Sequence, residues 1–164
     1  MGKFGKDGMS ILRRAHIEGS KRSRFDDKKE GVDGRFIYAD VSYKNHLSNW
    51  KQFAEWAEEK GLKRIGQIQK KHVENYVKEL VDSGMSKKTI ESRIGAVNKI
   101  MLYSERWDNE SRVVLSKIEG VKPRELPTKI YKDLTAKEWM DRNQGQYANN
   151  RDLIDTVQAF GLRR

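Results

Sequence analysis

The sequence predicts an all-α protein, a compact four-helix bundle with a basic N-terminal arm and a truncated helical segment at the C-terminal end. Apolar residues recur at spacings of three and four along four segments between residues 37 and 119. The connections between these segments are short, which favours antiparallel packing of neighbouring helices. The alternation of apolar and polar residues that marks a β-strand is missing.

The first helix is predicted over about residues 37–60. Apolar side chains at successive spacings of four, three, four and three residues predict a buried stripe along this helix. The stripe consists of Tyr43, Leu47, Trp50, Ala54 and Ala57. Trp56 widens this stripe, so Trp50 and Trp56 are expected in the core rather than as platforms for stacked bases. Gly61 is a natural end for the helix.

Three more helices complete the predicted bundle. The second spans about residues 70–82 and ends before Gly84, and the third begins after Ser86 as N-cap and runs to about residue 106. Gly95 lies inside the third helix, where glycine costs roughly 1 kcal/mol relative to alanine, so close approach of another helix is expected there. The fourth helix is predicted over about residues 110–119.

The segments on either side of the bundle are predicted to differ from it. Residues 1–35 carry six glycines and ten Lys and Arg against six Asp and Glu, which predicts a mobile basic arm. Within it the spacing of Ile11, Leu12 and Ala15 allows a short helix. Arg22 and Arg24 are candidates to enter a groove, and the alternative is a disordered tail with no specific role. The helical domain is assigned to residues 36–120. Pro123 and Pro127 then indicate an extended linker over 121–134. Residues 135–164 are predicted to hold the first helices of a further, truncated domain.

The amino-acid composition of the chain limits the kinds of molecule that it is expected to bind. The chain has 34 Lys and Arg against 24 Asp and Glu, a net charge of +10, which favours an anionic partner, nucleic acid first and an acidic membrane second. No apolar run approaches eighteen residues, so no membrane-spanning helix is expected. The absence of cysteine excludes disulfides and thiolate metal sites and fits a cytoplasmic protein. The three histidines are far apart in sequence, so neither a metal site nor a cofactor is predicted.

The block from Val41 to Tyr103 resembles the core-binding domain, a SAM-like domain, of the tyrosine recombinases of the phage-integrase family. The features that carry the resemblance are Leu47, Trp50, Phe53 and Trp56 on the first helix, then "HVENYVKEL" opening the second, and then "SGMSKKTIESRIGAVNKI". The resemblance implies a module that grips double-stranded DNA, mostly through its phosphates.

The resemblance also implies which residues contact DNA. At the start of the third helix the candidates are the hydroxyl and ammonium groups of Ser86, Lys87, Lys88 and Thr89, with Arg93 one turn further. Lys70 and Lys71 open the second helix in a similar setting, beside His72. Lys122 and Arg124 are candidates because family members pass their linker across the duplex. The alternative is that these residues form only an N-cap and solvated helix ends. Lys99 and Arg106 continue the third helix, and for one or both of them the alternative is a plain surface charge.

The C-terminal "AFGLRR" resembles the turn that supplies the first catalytic arginine of the family, which would be Arg163. That residue would hold the scissile phosphate with its bidentate guanidinium. The family's later His-x-x-Arg and tyrosine nucleophile have no counterpart in the sequence. We therefore expect an N-terminal fragment that does not itself cut or join DNA.

Two other hypotheses remain open. The chain is either a stand-alone basic helical protein that binds RNA or a protein partner, or an isolated domain that regulates a full-length recombinase by occupying its sites. Recombinases of the family act as tetramers on paired DNA sites. Since the usual exchange element is missing here, a monomer or weak dimer is expected.

Overall fold

The computed structural model describes residues 2–127 of the 164-residue chain. Within residues 2–127 the chain is helical and contains no strand, which confirms the all-α prediction. The helices predicted within residues 135–164, together with Arg163, lie outside the described residues. The helices are α1 Lys3–Gly19, α2 Arg24–Lys29, α3 Asp40–Glu59, α4 Lys70–Asp82 and α5 Lys87–Tyr103, with 3-10 turns at Ile65–Gln67 and Leu115–Lys117.

Helix α5 is the central element of the bundle, because it packs against α1, α3 and α4. The core between these helices consists of side chains with no solvent exposure, among them Leu12, Trp50, Phe53, Val73, Val77, Ile90 and Val97. Burial of this apolar surface is the main force that holds the helices together. Trp50 is in the core as predicted, and Trp56 is partly buried, with its indole Nε1 donating to Glu79 Oε2 at 2.7 Å.

The helix boundaries follow the capping signals of the sequence. Helix α4 has the predicted bounds. Gly61 and Gly84 follow α3 and α4 with φ of +85° and +73°, values that glycine adopts at little cost. The N-cap of α5 is Ser86, whose hydroxyl accepts from the Thr89 N–H at 3.3 Å.

The prediction of a mobile arm is wrong for the described part of residues 1–35. These residues form α1 and α2, and α1 packs on α3 and α5 as the fourth long helix of the bundle. The physical reason is that the glycines of α1 belong to its buried face. That face consists of Phe4, Gly5, Gly8, Ile11, Leu12, Ala15 and Gly19, which recur at helical spacing.

A close contact with α3 explains why the buried face of α1 contains glycine. A Cβ atom at Gly8 would lie 2.1 Å from Cε2 of Trp50, so only glycine lets the helix approach this ring. The indole Nε1 of Trp50 donates to the Gly5 carbonyl at 2.9 Å, inside the core. Phe4 packs on the same indole with 5.3 Å between ring centroids. The small residues of α1 thus provide the space for a tryptophan of α3.

The predicted fourth helix over residues 110–119 is also wrong. Only Leu115–Lys117 is helical there, as a single 3-10 turn. Asn98 on α5 explains the extended backbone before it, since its side-chain amide donates to the Val113 carbonyl at 2.8 Å and accepts from the Val113 N–H at 3.0 Å. Both backbone groups of Val113 are therefore used by a side chain and not by a helix.

The described part of the predicted linker, residues 121–127, packs on the bundle and is not a free extended chain. Val121 and Leu126 are each only 8% exposed, and the Lys87 N–H donates to the Pro127 carbonyl at 3.0 Å. The two prolines limit regular structure, as predicted, but Val121 before them and Leu126 between them still bury against the helices. This segment is thereby held at the N-terminal end of α5.

The predicted close approach of another helix at Gly95 is wrong as well. Among the described residues nothing lies within 4 Å of a Cβ atom built at this position. Gly95 faces a groove of about 430 Å³ that Lys87, Glu91, Arg112 and Pro123 also line. No helix in the described part of the chain packs closely against Gly95.

Candidate nucleic-acid interface

The N-terminal end of α5 brings together six of the predicted DNA-binding residues. Lys88 is exposed, Lys87 is half-buried beside the groove at Gly95, and Ser86 and Thr89 are linked by a 2.9 Å hydrogen bond between their hydroxyls. The segment with Lys122 and Arg124, both exposed, is held here by the hydrogen bond between Lys87 and Pro127. We call this set the α5 cluster: Ser86, Lys87, Lys88, Thr89, Lys122 and Arg124.

The backbone at this helix start is less available than the sequence suggests. The N–H of Thr89 donates to the Ser86 hydroxyl, and the N–H of Lys87 donates to the Pro127 carbonyl. Two of the donors expected for a phosphate are therefore occupied. The binding capacity of the α5 cluster lies in its ammonium and guanidinium groups. Of these, the Lys122 Nζ lies 3.2 Å from Glu125 Oε1 in an exposed pair, which is weak enough to exchange for a phosphate.

Arg93 lies on the side of α5 that faces α4. Its Nη1 donates to the Tyr76 hydroxyl at 3.1 Å, and its side chain is half-buried. Burial raises the pKa of Tyr76, against the opposing charge of Arg93. One N–H group of the guanidinium is thus used within the protein. The others keep Arg93 a candidate contact on the same face as Thr89.

Lys70 and Lys71 are not near the α5 cluster. Helices α4 and α5 are joined by four residues, 83–86, and the charge of Lys70 at the start of α4 reaches Asp108, just after the end of α5. The 17 residues of α5 span about 25 Å, which separates the two groups of lysines by a comparable distance. Hydrogen bonds from Ser111 lower the pKa of Asp108, just after α5, and the charge of Lys70 contributes to this shift.

The other residues at the start of α4 serve the helix itself. His72 accepts a hydrogen bond on Nδ1 from the Gln69 N–H at 3.1 Å, so its ring caps α4. Lys70 and Lys71 are both exposed. The predicted site residues therefore form two groups at opposite ends of the α4–α5 pair.

Lys99 is not the plain surface charge that its sequence position suggests. Its Nζ donates to the carbonyls of Gly34 at 2.5 Å and Phe36 at 2.8 Å, with a longer contact of 3.4 Å to the carbonyl of Asp33. Burial, together with the nearby charge of Arg112, lowers the pKa of Lys99 to about 8. This lysine fixes residues 33–36 against α5. Its role depends on contacts between distant segments, so no local pattern reveals it.

Arg22, before α2, and Arg24, the first residue of α2, have different roles. Arg22 donates from Nε to both carboxylate oxygens of Asp27, at 2.9 Å each, and Asp27 is 2% exposed. The Tyr38 hydroxyl donates to the same carboxylate at 2.8 Å. Arg22 is thus held in a structural ion pair, whereas Arg24 is exposed and borders a cavity with Lys99 and Arg112.

Two further properties bear on the class of protein. Within residues 2–127, His, Asp and Glu side chains nowhere gather in a group of three that could hold a metal ion. None of the described helices combines the length and the apolar character needed to cross a membrane.

Comparison with known proteins identifies one domain. Residues 38–106, which include α3, α4 and α5, match the family model of the phage integrase N-terminal SAM-like domain. This match confirms the resemblance drawn from residues 41–103. No curated protein and no solved structure matches the chain.

Proposed function

Residues 38–106 are a phage integrase N-terminal SAM-like domain, and from this premise we propose that the chain binds double-stranded DNA as part of a site-specific recombinase. The α5 cluster is the main contact surface in this proposal. Its cations neutralise backbone phosphates, which gives affinity and sets the orientation of the domain on the duplex. We extend the proposal to Arg163 as the arginine that holds the scissile phosphate of a catalytic domain.

The observation that carries the proposal is the convergence of two cationic segments at one helix end. Lys87 and Lys88 begin α5, and Lys122 and Arg124 follow on a segment bonded to the same helix end. These four side chains come from positions more than thirty residues apart in sequence. A surface that brings such side chains together attracts a polyanion more strongly than the same charges scattered over the protein.

The α5 cluster also suits a duplex better than a small anion. Its charged groups are exposed or half-buried, and none of them is buried inside the protein. A long regular polyanion can contact several such groups together, whereas a single small anion meets only one or two. Lys70 and Lys71, near the opposite end of α5, are then proposed as contacts for a more distant part of the duplex backbone.

A charge-matched comparison tests this surface. The variant Lys87→Ala, Lys88→Ala, Arg93→Ala should bind a duplex at least about tenfold more weakly, because it loses cations that neutralise phosphates. Each lost phosphate contact should also reduce the salt slope by about one. The control Arg13→Ala, Lys44→Ala, Lys51→Ala removes the same charge from exposed positions of α1 and α3. It should keep most of the affinity.

The measurement is fluorescence anisotropy with a labelled duplex at 100 mM salt. Circular dichroism checks that each variant is folded, and the double variant Lys87→Ala, Lys88→Ala covers the case in which loss of the Arg93–Tyr76 hydrogen bond unfolds the bundle. Equal affinities for the site variant and the control would refute the choice of surface. Stronger binding of single-stranded RNA than of duplex DNA would refute the proposed ligand.

A further inference from the structure

A cavity of about 310 Å³ lies beside Lys99 in the second half of α5, bordered by four separate segments of the described chain. Lys99 of α5 and His46 and Ser42 of α3 form part of its wall. Arg24 comes from α2 and Arg112 from the chain after α5. Its volume is that of about ten water molecules in the liquid, which leaves ample room for a phosphate group.

The charge in this cavity is predominantly positive. Arg24, Lys99 and Arg112 contribute three cations, and Asp33 contributes one carboxylate. Burial, and secondarily the charge of Lys99, lowers the pKa of His46 to about 4, so its ring is neutral at pH 7 and can donate one hydrogen bond. Tyr38 also lines the cavity as a neutral phenol, because burial and its hydrogen bond to Asp27 raise its pKa strongly.

The two arginines are the groups free to hold a ligand. Lys99 directs its ammonium protons at the carbonyls of residues 33, 34 and 36, so it supplies charge but not hydrogen bonds. Neither Arg24 nor Arg112 takes part in an ion pair found among residues 2–127. Each presents a planar array of N–H donors that matches the geometry of phosphate oxygens.

The residues behind the arginines hold the cavity in shape. Asn109 donates from Nδ2 to the Gly31 carbonyl at 2.7 Å, and Lys99 fixes the carbonyls of residues 33–36. Arg112 lies next to Gly34, with its Nη1 3.7 Å from where a Cβ atom of that glycine would be. The segment before α3 and the segment after α5 are thereby joined on either side of the site.

We propose that this cavity binds a phosphate group of the DNA backbone between Arg24 and Arg112, an inference that rests on the proposed DNA-binding function. Both arginines lie outside the matched residues 38–106, so the segments on either side of that domain take part in the grip. Lys99 lies twelve residues beyond Lys87, or about 18 Å along α5. A duplex lying along α5 meets the α5 cluster and this cavity about five base-pair steps apart.

The first test uses inorganic phosphate and NMR spectroscopy. Addition of phosphate to the full chain should shift the signals of Gly34, Ser42 and His46 and raise the pKa of Lys99 by at least about one unit. The double variant Arg24→Gln, Arg112→Gln should lose these shifts. The control Arg13→Gln, Lys51→Gln, which removes the same charge elsewhere, should keep them. Shifts of equal size in both variants would overturn the inference.

The second test uses duplex DNA and separates this inference from the proposed function. The Arg24→Gln, Arg112→Gln variant should bind a 20-base-pair duplex three- to tenfold more weakly than the control and should reduce the salt slope by about one to two. If wild-type protein binds DNA and this variant matches the control, the cavity inference fails and the proposed function stands. If wild-type protein binds phosphate in the cavity but no duplex, the proposed function fails and the cavity is a site for a free phosphate.

Discussion

At the scale of single residues, His46 is a neutral imidazole held where protonation is unfavourable. It lies on α3 beside Lys99, and burial, with the charge of that lysine, lowers its pKa to about 4. In an unfolded chain the pKa of histidine is about 6.5, so between pH 6.5 and pH 4 the unfolded state binds more protons than the folded state. Acidification through this window therefore favours unfolding.

The pH dependence of stability is the first prediction. Between pH 6.5 and pH 4 the free energy of unfolding should fall by up to about 3 kcal/mol through His46 alone. In the variant His46→Gln this part of the decrease should be absent. Urea denaturation at half-unit pH steps measures both curves. Parallel curves for wild type and variant would show that His46 is not held neutral by the fold.

The buried carboxylate of Asp27 leads to a second prediction. Arg22 and Tyr38 both donate to it, and the hydrogen bond from Arg22 lowers its pKa despite burial. The substitution Asp27→Asn should lower the melting temperature clearly, because Arg22 then loses its partner. Asp26→Asn, one position earlier and exposed, is the matched control and should have little effect. Calorimetry of the two variants checks the prediction, which equal melting temperatures would contradict.

At the scale of elements, the helical glycines Gly8 and Gly95 have opposite environments. At Gly8 a Cβ atom would collide with the indole of Trp50, whereas at Gly95 it would meet no described atom within 4 Å. The third prediction is that Gly8→Ala destabilises the protein by about 1–3 kcal/mol, the usual cost of overpacking. By contrast, Gly95→Ala should stabilise it by roughly 1 kcal/mol, the gain in helix propensity. Chemical denaturation measures both, and effects of the same sign would refute the contacts of α1 with α3.

These glycines also show how far elements can be predicted from sequence. Helix α4 and the N-cap Ser86 follow from local signals, because apolar spacing and capping chemistry are encoded by neighbouring residues. For α1 the sequence indicates only a short helix around Ile11, Leu12 and Ala15, because glycine ordinarily breaks helices and suggests mobility. Its buried face becomes regular only when glycine and alanine are counted as interior residues that admit Trp50. The backbone at Val113 depends on Asn98, fifteen residues away, and no local pattern predicts that pairing.

At the scale of the whole molecule, α1 and the matched domain share one core. Phe4, Leu12 and Ala15 of α1 are at most 2% exposed against α3 and α5. The fourth prediction is that a polypeptide of residues 38–127 lacks the cooperative thermal unfolding expected for residues 1–127, because its core faces water where α1 lay. Circular dichroism of the two polypeptides makes the comparison. Equal melting temperatures would contradict the structural role of α1.

The candidate interface could be predicted only in part, because some of its residues are brought together from distant segments of the chain. Lys87, Lys88 and their capping partners could be identified from a helix start, and the segment after residue 120 does lie beside them. The separation of Lys70 and Lys71 from that end depends on how α4 packs against α5, which no local sequence pattern shows. The cavity of Arg24, Lys99 and Arg112 could not be found from sequence, since Arg24 lies more than seventy positions before the other two residues.

The central claim is that the chain holds duplex DNA by its phosphates, and the salt dependence of binding tests it most directly. If about six phosphates are neutralised, the logarithm of the association constant should fall with the logarithm of salt concentration with a slope of about −5. Fluorescence anisotropy of a labelled 20-base-pair duplex between 50 and 300 mM salt provides the measurement. Failure to bind the duplex at 50 mM salt, or binding that does not weaken as salt rises, would contradict the claim.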